Sequence, residues 1–181
     1  HNQNYEDFDG FLQNLSSRKR KNIRKERASI ADAGVTMLAL SGDDIKPHHI
    51  DHFYAFYLST IDRKWGGAYL TRRFFDIVHA TMAEKILLVM AIYDGDLIGG
   101  ALNFIGTETL YGRNWGASRH IQNLHFEACY YQAIEFAITH KLRCVEAGAQ
   151  GFHKVQRGYL PVTTYCLLYT SPSPRDLWIS R

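Results

Sequence analysis

The sequence has little cysteine and no long apolar run, and each shortage excludes a class of protein. Its three cysteines, Cys129, Cys144 and Cys166, lack the spacing of a metal site. Their odd number predicts reduced thiols in a cytoplasmic compartment and no bound metal. No window approaches the roughly 18 consecutive apolar residues of a membrane span. We therefore expect no closer approach to a bilayer than contact with an anionic membrane surface.

The composition indicates one ordinary domain of mixed class. The chain has 181 residues, of which 46% are hydrophobic and 22% charged, with a formal net charge of +3. It begins at His1 inside an apolar helical pattern, so we expect a fragment truncated at both ends. From Cys166 the composition changes abruptly to a Ser-Pro-Ser-Pro tract. We predict a domain over residues 1–165 and a non-native or disordered tail over residues 166–181.

Local signals predict the order of helices and strands. A helix capped by Ser16 or Ser17 should end at Gly34, and Thr71 should cap another. Asp94-Gly95, between two apolar runs, predicts a β-hairpin. The expected fold is α/β, with a mixed, mostly antiparallel sheet flanked by helices. Its elements are strand 35–40, helices 47–63 and 72–82, strands 86–93, 97–105 and 110–115, helix 124–141 and strand 144–147.

Seven cations crowd the first long helix, Arg18, Lys19, Arg20, Lys21, Arg24, Lys25 and Arg27. Such a surface attracts polyanions over about a Debye length, ~8 Å at physiological salt. Arg20 and Arg24 are candidates for contacting the phosphates of a tRNA, a nucleotide-linked substrate or an anionic lipid. A merely solvated helix face explains the charge equally well.

Polar residues interrupt three strands that are otherwise apolar, namely Asn103, Arg113 and Glu146. A buried amide, guanidinium or carboxylate without partners is costly, so each should be paired or face a ligand. We expect them to share one cleft and one face of the sheet. A purely structural pairing of Arg113 with Glu146 is the alternative.

Glu127 lies in the first turn of the helix over residues 124–141. Its helical position is beside Ile134 and Ile138, on the flank predicted to meet the sheet. It is a candidate catalytic base. The alternative is an acid that stabilises the helix start through the helix dipole, worth ~0.3 to 1 kcal/mol.

A basic loop, Gly148 to Tyr159, follows the last strand. It carries Gln150, His153, Lys154 and Arg157, at an edge of the sheet where α/β proteins place anionic ligands. We expect Lys154 and Arg157 to bind phosphates, with backbone N–H groups near Gln150 assisting. His153 joins Glu127 and Glu146 as a candidate base.

Several segments in order resemble the FemABX-like, peptidoglycan biosynthesis or recognition branch of the acyl-CoA N-acyltransferase (GNAT-like) superfamily. They are "LSSRKRKNIRKERASIADAGVTM", "FYAFYLSTIDRKWGGAYLTRRFF", "YDGDLIGGALNFI", "LHFEACYYQAIEFAITHKL" and "EAGAQGFHKVQRGYLP". The similarity runs from about Tyr5 to Tyr165. Members usually carry two acyltransferase-like domains, and the chain is similar to the second.

The resemblance implies transfer of an acyl or aminoacyl group to an amine-bearing cell-envelope precursor. The donor would be an acyl-CoA or an aminoacyl-tRNA, used as a substrate and not held permanently. Simple acetyl-CoA enzymes of the superfamily bind pyrophosphate with a loop that runs directly into the next helix. Here "RNWGAS" is followed by "RHIQN" before the helix begins, which weakens the match to coenzyme A binding.

Two alternatives remain at this point. One is an ordinary acetyl-CoA-dependent N-acetyltransferase, which would bind coenzyme A analogues. The other is a non-catalytic module that binds anionic precursor, membrane surface or RNA. In that case binding should depend on Arg20, Arg24 and Arg27, and changes at Glu127 or Glu146 should have no effect.

Overall fold

A computed structural model describes residues 1–62, 67–148 and 151–163. The helices are α1 (Phe8–Gln13), α2 (Ser17–Asp32), α3 (Pro47–Asp62), α4 (Arg72–Met82), α5 (Leu124–Phe126), α6 (Gln132–Thr139) and α7 (Phe152–Gln156), and short 3₁₀ turns cover Gly42–Asp44 and Ala83–Lys85. The strands are β1 (Val35–Leu40), β2 (Ile86–Tyr93), β3 (Asp96–Ile105), β4 (Thr109–Ala117) and β5 (Cys144–Glu146). The expected tail, residues 166–181, lies outside the described residues.

The five strands form one mixed sheet in the order β1-β2-β3-β4-β5. The first four are antiparallel neighbours, and β5 pairs with β4 in parallel after the crossover through α5 and α6. The predicted fold class is therefore confirmed.

Two apolar layers cover the sheet, because successive strand residues point to opposite faces. Leu88 and Met90 pack with α3 and α4 on one face, which we call the α3 face. Leu87 and Val89 pack with Ala133 of α6 on the other, the α6 face. A third cluster joins α1 and α2 to the outer side of the helix over residues 124–139.

Three predicted signals for helix ends and a hairpin turn are present in the structure. Gly34 (φ 74°) follows the C-terminal cap of α2. The Thr71 side chain accepts a hydrogen bond from Phe74 N. Asp94 and Gly95 both have positive φ, 52° and 81°, as a two-residue hairpin turn requires.

The helix over residues 124–139 is not a uniform α-helix. A π turn, Glu127–Tyr131, separates α5 from α6. The flank of Ile134 and Ile138 meets Phe11 and Ile23 of α1 and α2. The expectation that this flank, and Glu127 with it, faces the sheet is therefore wrong, and Ala133 and Ala137 face the sheet instead. Part of the basic loop is also helical, as α7.

Candidate active site

The short strand β5 pairs along its whole length with the beginning of β4. The register joins Thr109, Leu110 and Tyr111 to Cys144, Val145 and Glu146 and then stops, while β4 continues to Ala117. Within the described residues, no ladder partner covers residues 112–116 on the β5 side. Unpaired strand N–H and C=O groups can bind an extended ligand chain by strand addition. The carboxyl end of a parallel strand is also where open α/β sheets place their ligands.

A β-bulge lies at the point where the two strands part. Leu102 is opposite Asn114 and Asn103 is opposite Gly112, so Arg113 is the extra residue on β4. A Cβ added to Gly112 would lie 3.2 Å from Glu146 O and 3.6 Å from Asn103 Oδ1. The absence of a side chain at this position lets β4 and β5 remain in close contact beside the opening.

Aromatic and imidazole rings line the α6 face of this opening. His125 is 5.5 Å from Trp115 of β4, 5.4 Å from Tyr130 and 6.3 Å from His153, measured between ring centroids. Tyr130 Oη lies 2.9 Å from His153 Nε2. Burial raises the pKa of Tyr130 to about 12, so its hydroxyl is protonated at neutral pH. The tautomer of the exposed imidazole determines whether the hydroxyl donates to His153 or accepts from it.

Lys154 is turned toward the exit of β5. Its Nζ donates to Ala147 O at 2.6 Å and to Gly148 O at 3.0 Å. Burial lowers the pKa of Lys154. The lysine fixes the backbone that leaves β5 and places a cation at the mouth of the opening.

Arg157 is engaged inside the protein. It is 6% exposed, and it binds Glu26 through Nη2 to Oε1 at 2.7 Å and Nε to Oε2 at 3.0 Å. Its Nη1 donates to His153 O at 2.8 Å, and its guanidinium lies 3.3 Å from the centroid of the Phe126 ring. This geometry ties α7 to α2 and does not support the expected binding of donor phosphates by Arg157.

Glu127 is the first residue of the π turn and is 3% exposed. Its side chain faces α2. Its Oε1 accepts from Arg27 Nη2 at 3.1 Å and from Gln132 Nε2 at 2.8 Å. The Arg27 guanidinium also binds Glu135, at 2.7 Å. Oε2 of Glu127 is buried without a hydrogen-bond partner among the residues described. These contacts are on the α2 side of the helix, away from the opening between β4 and β5.

The expected shared face of Asn103 and Glu146 is wrong. Asn103 is opposite Leu87 on the α6 face, 1% exposed, and its Nδ2 donates to Leu87 O at 3.2 Å. Val145 packs on the α6 face, so strand alternation turns Glu146 to the α3 face, where it is exposed. Arg113 is exposed on that same face, 5.9 Å from the Tyr69 ring centroid.

Some cations of α2 form bonds within the protein, and others are exposed to solvent. Lys19 Nζ donates to Val155 O at 2.9 Å, and Arg24 pairs with Asp9 at 2.9 Å. Arg20 Nη1 lies 3.5 Å from Gln13 O, at the limit of a hydrogen bond. Arg18, Lys21 and Lys25 are exposed along one side of α2. The remaining candidate, Gln150, lies outside the described residues.

Sequence reasoning missed three residues that organise the site, namely Glu26, His125 and Tyr130. Glu26 also accepts a hydrogen bond from the Tyr131 hydroxyl. An acid inside a basic run was the available signal for Glu26. The two ring residues gave no signal, because an aromatic stripe at helical spacing is typical of an ordinary core.

No group of three or more His, Cys, Asp or Glu side chains in the described part of the chain could hold a metal ion. Among the same residues, no helix is both long and apolar enough to cross a bilayer.

The chain belongs to the FemAB-like family of peptidoglycan biosynthesis/recognition, whose model matches residues 1–175. No curated protein matches it. The family assignment agrees with the resemblance carried by the sequence segments.

Solved structures of the acetyltransferase fold are similar to the chain. An aminoglycoside acetyltransferase from an uncultured soil metagenomic sample superposes with a TM-score of 0.56 at 10% identity, covering 77% of this chain and 98% of its own. A conserved protein of unknown function from Bacteroides thetaiotaomicron gives 0.56 at 17% identity, covering 84% and 53%. Ribosomal-protein-alanine N-acetyltransferase from Brucella melitensis biovar Abortus gives 0.50 at 14%, covering 76% and 99%. At these identities the likeness establishes the fold.

Proposed function

We propose that the chain transfers an acyl or aminoacyl group to an amine of a cell-envelope precursor, at the opening between β4 and β5. The carrying observation is the parting of these parallel strands at the Arg113 bulge, in a member of the FemAB-like family. The open β4 edge can align the acyl-bearing arm of a donor by backbone hydrogen bonds.

The transfer requires an unprotonated amine and a polarised carbonyl. The amine nitrogen attacks the carbonyl carbon, the bond from that carbon to sulfur or oxygen breaks, and the leaving thiolate or alkoxide takes up a proton. Our candidates for accepting the amine proton are Glu146 on the α3 face and His153 on the α6 face. We assign no catalytic role to Glu127, because its bound partners lie toward α2.

Two donors fit the proposal, and the structure bears on the choice. Residues 118–123 separate β4 from α5, as the sequence predicted. The loop thus departs from the pyrophosphate-binding arrangement of simple acetyl-CoA enzymes. This favours aminoacyl-tRNA over acyl-CoA as donor, and Lys154 is the candidate contact for its phosphates.

The experiment offers both donors, acetyl-CoA and aminoacyl-tRNA, to the full chain with a nucleotide-linked peptidoglycan precursor as acceptor. We expect product from the aminoacyl donor and a loss of turnover in Glu146→Gln or His153→Gln. Gln156→Ala, an exposed change on α7 beside His153, is the matched control. Product from neither donor refutes transfer, and product with acetyl-CoA alone establishes the acetyltransferase alternative.

A non-catalytic binding role has one observation in its favour, the exposed side of α2 that carries Arg18, Lys21 and Lys25. It predicts salt-sensitive binding of an anionic precursor, vesicle or RNA that these three residues control. In that case Glu146→Gln should change nothing.

A further inference from the structure

The α3 face of the β4 and β5 edge carries an exposed group of four side chains, Tyr69, Tyr111, Arg113 and Glu146, which we call the edge patch. Tyr111 is opposite Glu146 in the parallel register, so the two side chains are neighbours on one face. Tyr111 is 44% exposed and Tyr69 62%. Large exposed aromatic rings beside charges of both signs are typical of a recognition surface.

Strand alternation places Arg113 on the α3 face, because Tyr111 is on that face and Gly112, opposite Asn103, is on the other. The Arg113 guanidinium lies 5.9 Å from the Tyr69 ring centroid. The Tyr69 ring is 6.3 Å from that of Tyr57, a core residue of the α3 face. Arg113 is therefore on the same side as Glu146.

Neither charge of the edge patch is neutralised inside the protein. No ion pair of Arg113 or Glu146 occurs among the described residues, although the two strands touch at Gly112 and Glu146. A cation and a carboxylate held apart on one surface complement a ligand that carries the opposite charges at a similar spacing.

We propose that the edge patch binds the acceptor as a zwitterion, with the acceptor's carboxylate at Arg113 and its ammonium at Glu146. This rests on the proposed function and names its acceptor class, a peptide or amino-acid group with a free carboxylate near the reacting amine. Arg113 can hold a carboxylate with two parallel N–H groups. Glu146 then holds the ammonium beside the opening where the acyl group arrives.

The test is a binding titration of the full chain by amide chemical shifts, without any donor. The probes are Nα-acetyl-lysine, which has both charges, Nα-acetyl-lysinamide, which lacks the carboxylate, and Nα,Nε-diacetyl-lysine, which lacks the ammonium. Each truncated probe should bind about two- to fivefold more weakly, as expected for solvent-exposed charge pairs.

The variants assign each charge to its partner. Arg113→Gln should abolish the difference between Nα-acetyl-lysine and its amide, and Arg113→Lys should restore part of it. Glu146→Gln should abolish the difference from the diacetylated probe. Lys141→Gln and Asp32→Asn remove exposed charges outside the edge patch and serve as matched controls.

Equal affinity for the three probes, absence of binding, or discrimination that survives both variants overturns the proposal. Discrimination among the probes in a protein that transfers no acyl group would refute the proposed function and leave the edge patch standing. Acyl transfer without discrimination among the probes would refute binding at the edge patch and leave the proposed function standing.

Discussion

The Arg157–Glu26 pair yields the sharpest prediction, because it decides between a phosphate ligand and a structural clamp. The two side chains are 8% and 19% exposed and are joined by two hydrogen bonds. Arg157→Ala leaves the Glu26 carboxylate poorly solvated, with the Tyr131 hydroxyl as a remaining donor. It also removes the contact with the Phe126 ring and the hydrogen bond to His153 O.

Breaking a buried pair by removing one partner costs about 3 to 5 kcal/mol, and the residual exposure of Glu26 places our expectation at about 3 kcal/mol. Urea unfolding of the full chain measures it. Arg143→Ala is the matched control, because the Arg143–Glu108 pair has a similar length, 3.0 Å, but is 74% and 58% exposed. That control should cost less than about 1 kcal/mol.

A double-mutant cycle with Glu26→Gln isolates the interaction. Once the carboxylate is gone, Arg157→Ala no longer leaves a charge behind, so the two changes together should fall short of their sum by about 2 kcal/mol. If Arg157→Ala costs no more than Arg143→Ala, the clamp is refuted and Arg157 returns as a candidate phosphate ligand.

Three further predictions concern stability. Glu127→Gln should lower the free energy of unfolding by about 1 to 3 kcal/mol, because it weakens the buried contact with Arg27, and should leave acyl transfer intact; a loss of turnover with normal melting would make Glu127 catalytic. Gly116→Ala should cost about 3 kcal/mol or more, since its Cβ would lie 2.0 Å from a carbonyl oxygen of α3, whereas Gly67→Ala, with no atom within 4 Å, should be nearly neutral in the same melting assay. Burial, followed by the nearby histidines, lowers the pKa of His49 below its usual ~6.5, so protonation favours the unfolded chain and stability should fall as pH drops below about 6.5; His49→Asn should show a smaller difference in urea midpoint between pH 7.5 and 5.5, and an unchanged difference would contradict this.

Much of the fold and part of the site were predictable from the sequence. Thr71, Gly34 and Asp94-Gly95 fix helix ends and a hairpin through demands on φ and on single N–H groups, which act within a few residues. The order of these elements, with the quoted segments, sufficed to indicate the family. Lys154 and His153 follow the last strand, and their roles in a site remain predictions.

Only the tertiary structure decided which candidate residues meet. One extra residue in β4 and one π turn change which face a side chain occupies, and neither has a sequence signature here. The burial of Arg157 depends on Glu26, 131 residues earlier in the chain. The packing of helices and sheet determines a contact between residues so far apart in the chain. Composition and local periodicity identify Arg157 as a cation, but they cannot determine its partner.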